Sequence, residues 1–150
     1  MIDIVRVFEK FANDKDFLFD FGNRPTLNLI GGTSSLEVDL CKIYLLLENR
    51  VGTSKINNFG TLEGVNYKGM FMLLVCSDFD MINFNKINKS KYNNNIEPLL
   101  VYYNNFIQTF GCTDLKINSI SFQDLINVLD QNFDGILVNF DIFIPVGYEL

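Results

Sequence analysis

The stretch Asp134–Pro145, DGILVNFDIFIP, decides the fold of this chain. Every second residue from Ile136 to Ile144 is apolar, so these side chains fall on one side of an extended backbone. The pattern predicts a β-strand with one fully buried face. Asp134–Gly135 is typical of a turn before the strand, and Pro145 predicts its end because proline has no amide hydrogen. A strand this apolar requires a sheet beside it and a helix layer over it.

Two earlier stretches are predicted to supply the neighbouring strands. Leu36–Leu47 alternates apolar and acidic residues and then changes phase, which predicts a bulge near Leu40–Cys41. A helix is the rival interpretation of this leucine-rich run. Gly69–Cys76 is continuously apolar, which predicts a strand buried on both faces that pairs antiparallel with Leu36–Leu47. Phe17–Phe21 and Leu115–Ile120 predict two shorter extended segments, the first as a strand or an arm.

Three stretches carry helical signals. Apolar residues at helical spacing predict a first helix over Asp3–Asn13, with Asp3 as its N-cap. Asn95–Phe110 gives the clearest helical pattern, with a proline in its first turn, Asn94 or Asn95 as a cap and a glycine at its end. Ser121 followed by Asp124 resembles a capping box and predicts a short third helix before the final strand.

Two intervening segments are interpreted as loops. Residues 48–68 contain glycines and few large apolar groups, which predicts a flexible hairpin arm or loop that projects from the sheet. Residues 77–95 are rich in asparagine and predict a solvated loop. The order of elements predicts a single α+β domain over residues 1–150: an antiparallel β-sheet with helices packed on one face and a long projecting hairpin loop.

Charge and composition exclude several classes of protein. The chain has 150 residues, 48% of them hydrophobic, which is sufficient for one packed core. The chain contains twelve Lys and Arg residues and eighteen Asp and Glu residues, which gives a net charge of −6. Tight nucleic-acid binding is not expected, because it requires cations that neutralise phosphates. Neither a signal peptide nor an apolar run long enough to span a membrane is recognised.

The residue types needed for common catalytic sites are missing or scattered. The sequence has no His, which excludes Ser-His-Asp and Cys-His relays and zinc sites built on imidazole. Its cysteines are expected to be buried free thiols in a reducing compartment; they are Cys41, Cys76 and Cys112. We expect no enzyme activity and no cofactor.

Four short motifs favour structural interpretations. Gly31–Ser35 lacks the Lys of a phosphate-binding loop and predicts a turn. The carboxylates of Asp78 and Asp80 lack the companion ligands of a calcium loop, so they predict a solvated strand end. Asp14 and Asp16, at the end of the first helix, are likewise interpreted as solvated carboxylates and not as metal ligands. Asn88–Ser90 fits a glycosylation sequon by chance.

Aromatic residues are the best candidates for an interface. They occur in polar surroundings but without the basic residues of a nucleic-acid stacking platform, which favours packing in the core or between subunits. The glycine-punctuated segment 48–68 is either an exposed loop or an arm that docks on a neighbouring subunit. The candidate interface residues are Phe17, Phe19, Phe21, Phe59 and Tyr67.

The order of elements resembles that of bacteriophage tail-terminator and head-to-tail connector proteins. The resemblance rests on the N-terminal helix followed by the Leu36–Leu47 strand, and on the glycine-containing hairpin that enters Gly69–Cys76. It also rests on the ending Leu125–Pro145, where a short polar stretch and a glycine precede a long closing strand. The asparagine-rich insert Asn83–Asn95 departs from the family pattern.

The resemblance implies a structural virion protein. Identical subunits would form a sixfold or twelvefold ring in the neck or tail of the virion, in contact with portal, neck or tail proteins. DNA would pass through its channel without specific binding, and the family offers no catalytic residues. The alternative is a small intracellular protein-binding or regulatory adaptor domain with the same layers.

Overall fold

The computed structural model describes residues 3–22, 42–76, 91–128 and 133–150. These residues form two α-helices and five strands, with one π-helical turn that runs directly into the second helix. In chain order the elements are α1 (Ile4–Asp14), β1 (Leu18–Phe21), β2 (Tyr44–Ile56), β3 (Leu62–Cys76), the π-turn (Tyr92–Ile96), α2 (Glu97–Gly111), β4 (Lys116–Val128) and β5 (Phe133–Pro145).

The strands form one mixed sheet in the order β1-β2-β3-β5-β4. Strand β1 runs parallel to β2, and the other three neighbouring pairs are antiparallel. The fold is therefore α+β, as predicted, but the prediction of an antiparallel sheet is wrong for β1, which runs parallel to β2. The predicted closing strand is confirmed as β5, which lies inside the sheet between β3 and β4. Asp134 and Gly135 belong to the strand and pair with β3, so the turn predicted at these residues is wrong.

Both helices contribute to a core on one face of the sheet. The apolar stripe of α1 is buried as predicted, and Asp3 caps the helix by accepting a hydrogen bond from the amide of Val5. Phe8 lies at the centre, with its ring 4.8 Å from Phe71, 5.1 Å from Phe106 and 5.1 Å from Phe140. These contacts join α1, β3, α2 and β5. Burial of these large rings is a main stabilising contribution to the domain.

A second apolar cluster lies on the opposite face of the sheet. Successive residues of a strand point to opposite sides, and Phe71, Met72, Leu73 and Leu74 are all buried. The prediction that Gly69–Cys76 is buried on both faces is therefore confirmed. The buried members of the second cluster are Leu46, Met72, Leu74, Phe133 and Leu137.

The predicted loop over residues 48–68 is not confirmed. Strands β2 and β3 continue through most of it and leave residues 57–61 as the connection. The glycines that suggested flexibility have a packing role, because neighbouring atoms approach their backbone closely. A Cβ atom would lie 2.3 Å from the carbonyl oxygen of Ile144 at Gly64, and 2.9 Å from the ring of Phe140 at Gly69.

The short third helix predicted after Ser121 is wrong, because β4 extends without interruption to Val128. Phe122 contacts the ring of Tyr103 on α2 at 5.0 Å, while Leu125 packs on the second cluster. Pairing with β5 provides hydrogen-bond partners for the backbone groups on the inner edge of this stretch. It also places apolar side chains against both cores. These long-range contacts outweigh the local capping signal, because a short helix is not stable without tertiary packing.

The asparagine-rich segment is partly helical. Residues 77–90 lie outside the described part of the chain, but helical structure begins at Lys91, and Asn94 and Asn95 do not cap α2. The amide nitrogen of Asn95 instead donates to Asp134 at 2.9 Å, and the buried Lys91 ammonium lies 3.4 Å from the same carboxylate. These contacts fix the start of α2 against the start of β5.

Several smaller predictions are settled by the described strands and thiols. The extended segment at Phe17–Phe21 is confirmed as β1. Residues 36–41 and their predicted bulge lie outside the described residues, and β2 carries its register shift between Leu47 and Arg50. Cys76 is half-buried and Cys112 is exposed, so the prediction of buried thiols is wrong for Cys112. Neither α1 nor α2, the helices of the described residues, is long and apolar enough to cross a membrane.

Candidate assembly surface

The second half of β2 and the turn that follows it are mostly exposed. Strand β1 pairs with β2 only as far as Leu47, and side chains from Val51 to Ile56 are exposed on both faces of the hairpin. Within the described residues, the outer edge of this part of β2 has no neighbouring strand. We name residues 50–62 the arm; its part of β2 is paired with β3.

The turn of the arm is held by one asparagine. The Asn57 side-chain oxygen accepts the amides of Phe59 at 2.9 Å and Thr61 at 3.0 Å, and the Asn57 amide donates to the Thr61 carbonyl. Gly60 has a φ of +76°, a conformation that glycine adopts without strain. The turn therefore holds the backbone at Phe59, whose side chain is 92% exposed at the end of the arm.

The exposed end of the arm contains more apolar residues than Phe59 alone. Ile56 and Leu62 are paired across the hairpin and are both exposed, Ile56 to 61%. Val146 lies beside them, because its amide donates to the Glu63 carbonyl, and it is also exposed. Contiguous exposed apolar residues mark interaction surfaces in soluble proteins. The sequence predicted Phe59 as an interface residue but not Ile56, Leu62 or Val146. The hairpin register pairs Ile56 with Leu62, and the hydrogen bond to Glu63 places Val146 near them.

The remaining predicted interface residues occupy different environments. Phe17 and Tyr67 are buried in the main core, and Phe19 is partly buried against it. Phe21 is 40% exposed at the end of β1. Phe21 and Tyr67 are brought together by one guanidinium group, whereas Phe59 stands apart at the end of the arm. Phe17 and Tyr67 therefore contribute to folding within one subunit.

That guanidinium belongs to Arg50, which fixes the base of the arm to α1. Its Nε donates to a carboxylate oxygen of Asp3 at 3.0 Å, and its terminal nitrogen pairs with the other oxygen. Its charge lies 5.3 Å from the ring centre of Phe21 and 5.8 Å from that of Tyr67. Partial burial would raise the pKa of Asp3, but the hydrogen bonds from Arg50 and Val5 outweigh it and lower that pKa.

A polar network occupies the opposite face of the sheet at the base of the arm. The Asn118 amide donates to Asn66 at 2.8 Å and to Asp141 at 2.9 Å, and the Asn66 amide donates to Asp141 at 2.8 Å. Lys68 pairs with the other oxygen of Asp141 at 3.1 Å. The hydrogen bond from Asn118 contributes most to lowering the pKa of Asp141, and those from Asn66 and Lys68 add to it.

A shallow groove of about 430 Å³ runs beside this network. Its two lysines are Lys55, which pairs with Glu63 at 2.9 Å and lies 5.5 Å from the ring centre of Phe143, and Lys116. The lining contains hydroxyl, amide and ammonium groups, so the groove can hold a polar group. The lining residues are Thr53, Ser54, Lys55, Asn66, Lys116, Asn118 and Phe143.

The described residues contain no cluster of three His, Cys, Asp or Glu side chains that could hold a metal ion. Asp14 pairs with Lys10 at 3.0 Å and Asp16 with Lys42 at 3.1 Å, so both carboxylates have surface ion pairs. The segments Gly31–Ser35, Asp78–Asp80 and Asn88–Ser90 lie outside the described residues.

Comparison of the sequence with protein-family models and with curated proteins gives no match. The arm and its exposed apolar end are the most distinctive features on the surface of the described residues.

Proposed function

We propose that this protein is a structural virion subunit that assembles into a closed ring at the portal–tail junction of a bacteriophage. The observation that carries the proposal is the arm, a hairpin end at which Ile56, Phe59 and Leu62 are exposed. Burial of such an end against another protein surface stabilises the complex, by about 25 cal/mol for each Å² of apolar surface removed from water.

A ring provides that surface through repetition. In a closed ring each subunit uses one patch to contact the next subunit and a different patch to accept the previous one. The arm is suited to the first of these roles, because its end is exposed and the hydrogen bonds of Asn57 hold the backbone of its turn. The expected stoichiometry is sixfold or twelvefold, and the expected neighbours are portal, neck or tail proteins.

The charge of the subunit supports passage of DNA through such a ring. A net charge of −6 disfavours retention of the phosphate backbone. The lysines at the base of the arm do not alter this balance, since Lys55 pairs with Glu63 and Lys68 with Asp141. The proposed role of the protein is thus to form a channel, without a specific contact to DNA.

The test compares the assembly of the natural protein with that of a variant that has a polar arm end. The variant is Ile56→Thr, Phe59→Ser, Leu62→Thr, and native mass spectrometry with negative-stain microscopy measures the assembly. We expect closed rings from the natural protein and folded monomers from the variant. Val101→Thr is the matched control, because Val101 is 58% exposed on α2, away from the arm, and should leave the rings unchanged.

Two results would contradict the proposal. One is a natural protein that stays monomeric at all concentrations and binds no portal, neck or tail protein. The other is unchanged assembly of the triple variant, which would remove the arm from the interface. A monomer that binds one non-virion partner would favour the adaptor alternative.

A further inference from the structure

Strand β4 forms the outermost strand at the end of the sheet opposite β1. It pairs with β5 along most of its length, and no other strand of the described residues pairs with it. Most of its side chains are exposed, including the large ones of Phe122, at 44%, and Ile126, at 41%. An open strand of this length is a template for pairing with another chain.

The outer edge of β2 has backbone groups available at the arm. Strand β1 donates amides to the carbonyls of Ile43 and Leu47, so these residues direct their backbone groups away from β3. The register shift before Arg50 adds one residue to β2. Beyond it, Gly52 and Ser54 therefore direct their amide and carbonyl groups toward the open edge, while the residues between them bond to β3.

The same alternation carries across the sheet to β4. The Val146 amide donates to the Glu63 carbonyl, which shows that even-numbered residues of β5 bond to β3. Their partners on β4, which include Ile120 and Phe122, therefore direct backbone groups outward. Each end of the sheet thus presents alternate free amide and carbonyl groups, at the arm on one side and along β4 on the other.

The two open edges also run in compatible directions. From β2 to β4 the chain reverses direction at each of the pairs β2–β3, β3–β5 and β5–β4. Strands β2 and β4 therefore run in opposite directions. If a second copy placed its β2 beside β4 of the first, the new pair would be antiparallel and would continue the pattern of the sheet.

Side-chain sizes at the two edges complement each other. Gly52 and Ser54 pair with Tyr67 and Val65, so they lie on the face of the sheet that carries the helices. Phe122 lies on the same face, since it contacts Tyr103 of α2. In a continuous sheet the small residues of β2 would leave space for the exposed ring of Phe122 from the neighbouring copy.

We infer that subunits join edge to edge, with the arm of β2 from one copy pairing antiparallel with residues 117–124 of β4 from the next. The inference rests on the proposed ring and specifies its interface. The occupant of each edge is a second copy of this chain, because the two edges lie at opposite ends of one sheet and match in direction and side-chain size. A contact between two different edges repeats from subunit to subunit, which a ring requires.

Cysteine crosslinking tests which edges meet. Thr53→Cys and Ser121→Cys each place a thiol on one of the two edges, on the face of the sheet opposite the helices. Both are made in a Cys112→Ser background, which removes the exposed natural thiol. A short bis-thiol reagent is applied to each single variant, to both variants co-expressed, and to the double variant. We expect crosslinked dimers from the co-expressed pair, a ladder up to the ring size from the double variant, and background levels from each single variant.

Other outcomes would overturn the inference. Crosslinking of Ser121→Cys alone would show that β4 pairs with itself, and crosslinking of Thr53→Cys alone would show the same for β2. Rings in native mass spectra without crosslinks from the co-expressed pair would refute edge pairing but leave the proposed function standing. Absence of both rings and crosslinks would refute both.

A proline variant provides an independent measurement. Ser54→Pro removes an amide from the open edge but keeps the hydrogen bonds between β2 and β3, because Ser54 directs its backbone outward. We expect a folded protein, seen as an unchanged circular-dichroism spectrum, that no longer forms rings. Rings with the natural stoichiometry in Ser54→Pro would contradict the inference.

Discussion

Gly135 shows how closely the backbones of β3 and β5 approach each other in the core. An added Cβ at this position would lie 2.0 Å from the carbonyl oxygen of Leu73 and 2.8 Å from a methyl carbon of Leu74. Backbone atoms cannot move aside as a flexible side chain can. The absence of a side chain at residue 135 is therefore a steric requirement of strand pairing.

The first prediction is that Gly135→Ala destabilises the fold by about 1–3 kcal/mol, the usual cost of overpacking a core. The free energy of unfolding from urea titration is the measurement. Gly111→Ala is the matched control, since no atom lies within 4 Å of its added Cβ and alanine favours helices. We expect the control to be neutral or stabilising by about 1 kcal/mol. Equal stability of Gly135→Ala and the natural protein would contradict the steric argument.

A second prediction at the residue scale concerns the pH dependence contributed by Asp141. Its pKa in the folded protein lies below the ordinary value of 3.8, because Asn118, Asn66 and Lys68 stabilise the carboxylate. A lowered folded pKa gives a contribution that is fully present above pH 3.8 and is lost as the pH falls through the folded pKa.

We therefore expect Asp141→Asn to be less stable than the natural protein at neutral pH, and the difference to narrow as the pH falls below 3.8. Chemical unfolding at a series of pH values measures both free energies. Asn118→Ala, which removes the strongest contributor, should show a smaller pH dependence than the natural protein. A stability difference that stays constant down to the lowest pH would refute this account.

At the scale of the element, β5 is the strand on which both cores depend. Phe140 is buried, with its ring 5.1 Å from Phe8 and 6.2 Å from Phe71. Phe140→Asp would place a charge among these rings, at a cost that consumes most of the roughly 5–15 kcal/mol by which a typical domain is stable. We expect no cooperatively folded protein, as measured by circular dichroism on thermal unfolding.

The neighbouring position in the same strand provides the control for this substitution. Asn139 points to the opposite face and is exposed, so Asn139→Asp introduces the same charge without burying it. This variant should remain folded. Soluble, cooperatively unfolding Phe140→Asp would show that β5 tolerates a charge at its buried face.

The arm illustrates how a tertiary contact changes the interpretation of a sequence. A flexible loop at Thr53–Val65 could be deleted without loss of the fold. The structure pairs Gly64 with Pro145 and Val65 with Ile144, and Val65 is buried. Removing that segment would open the main core, so the role of the arm is tested by substitutions at its exposed residues Ile56, Phe59 and Leu62.

The elements that could be predicted are those whose signal is local. The alternation in β5 and the apolar stripe of α1 follow directly from the repeat of each structure, and both are confirmed. The length of β4 could not be predicted, because Ser121 and Asp124 resemble a helix start and only pairing with β5 overrules them.

For the whole molecule, the sheet separates two apolar clusters of unequal size. The larger cluster includes both helices, and the smaller lies on the opposite face around Met72 and Leu137. The candidate surface was harder to predict than the fold, because it depends on which residues remain outside these clusters. Phe17, Phe59 and Tyr67 are all aromatic residues in the sequence, yet only Phe59 is exposed.

The position of β5 has a consequence for the order in which the molecule can be completed. Of the five strands, the ribosome makes β5 last, yet it fills the space between β3 and β4. A nascent chain that has emerged only as far as β4 contains β3 and β4 but lacks the strand that pairs with both of them. Translation must therefore deliver β5 before the sheet can close, and a chain cut short ahead of Phe133 would be a target for chaperones and proteases.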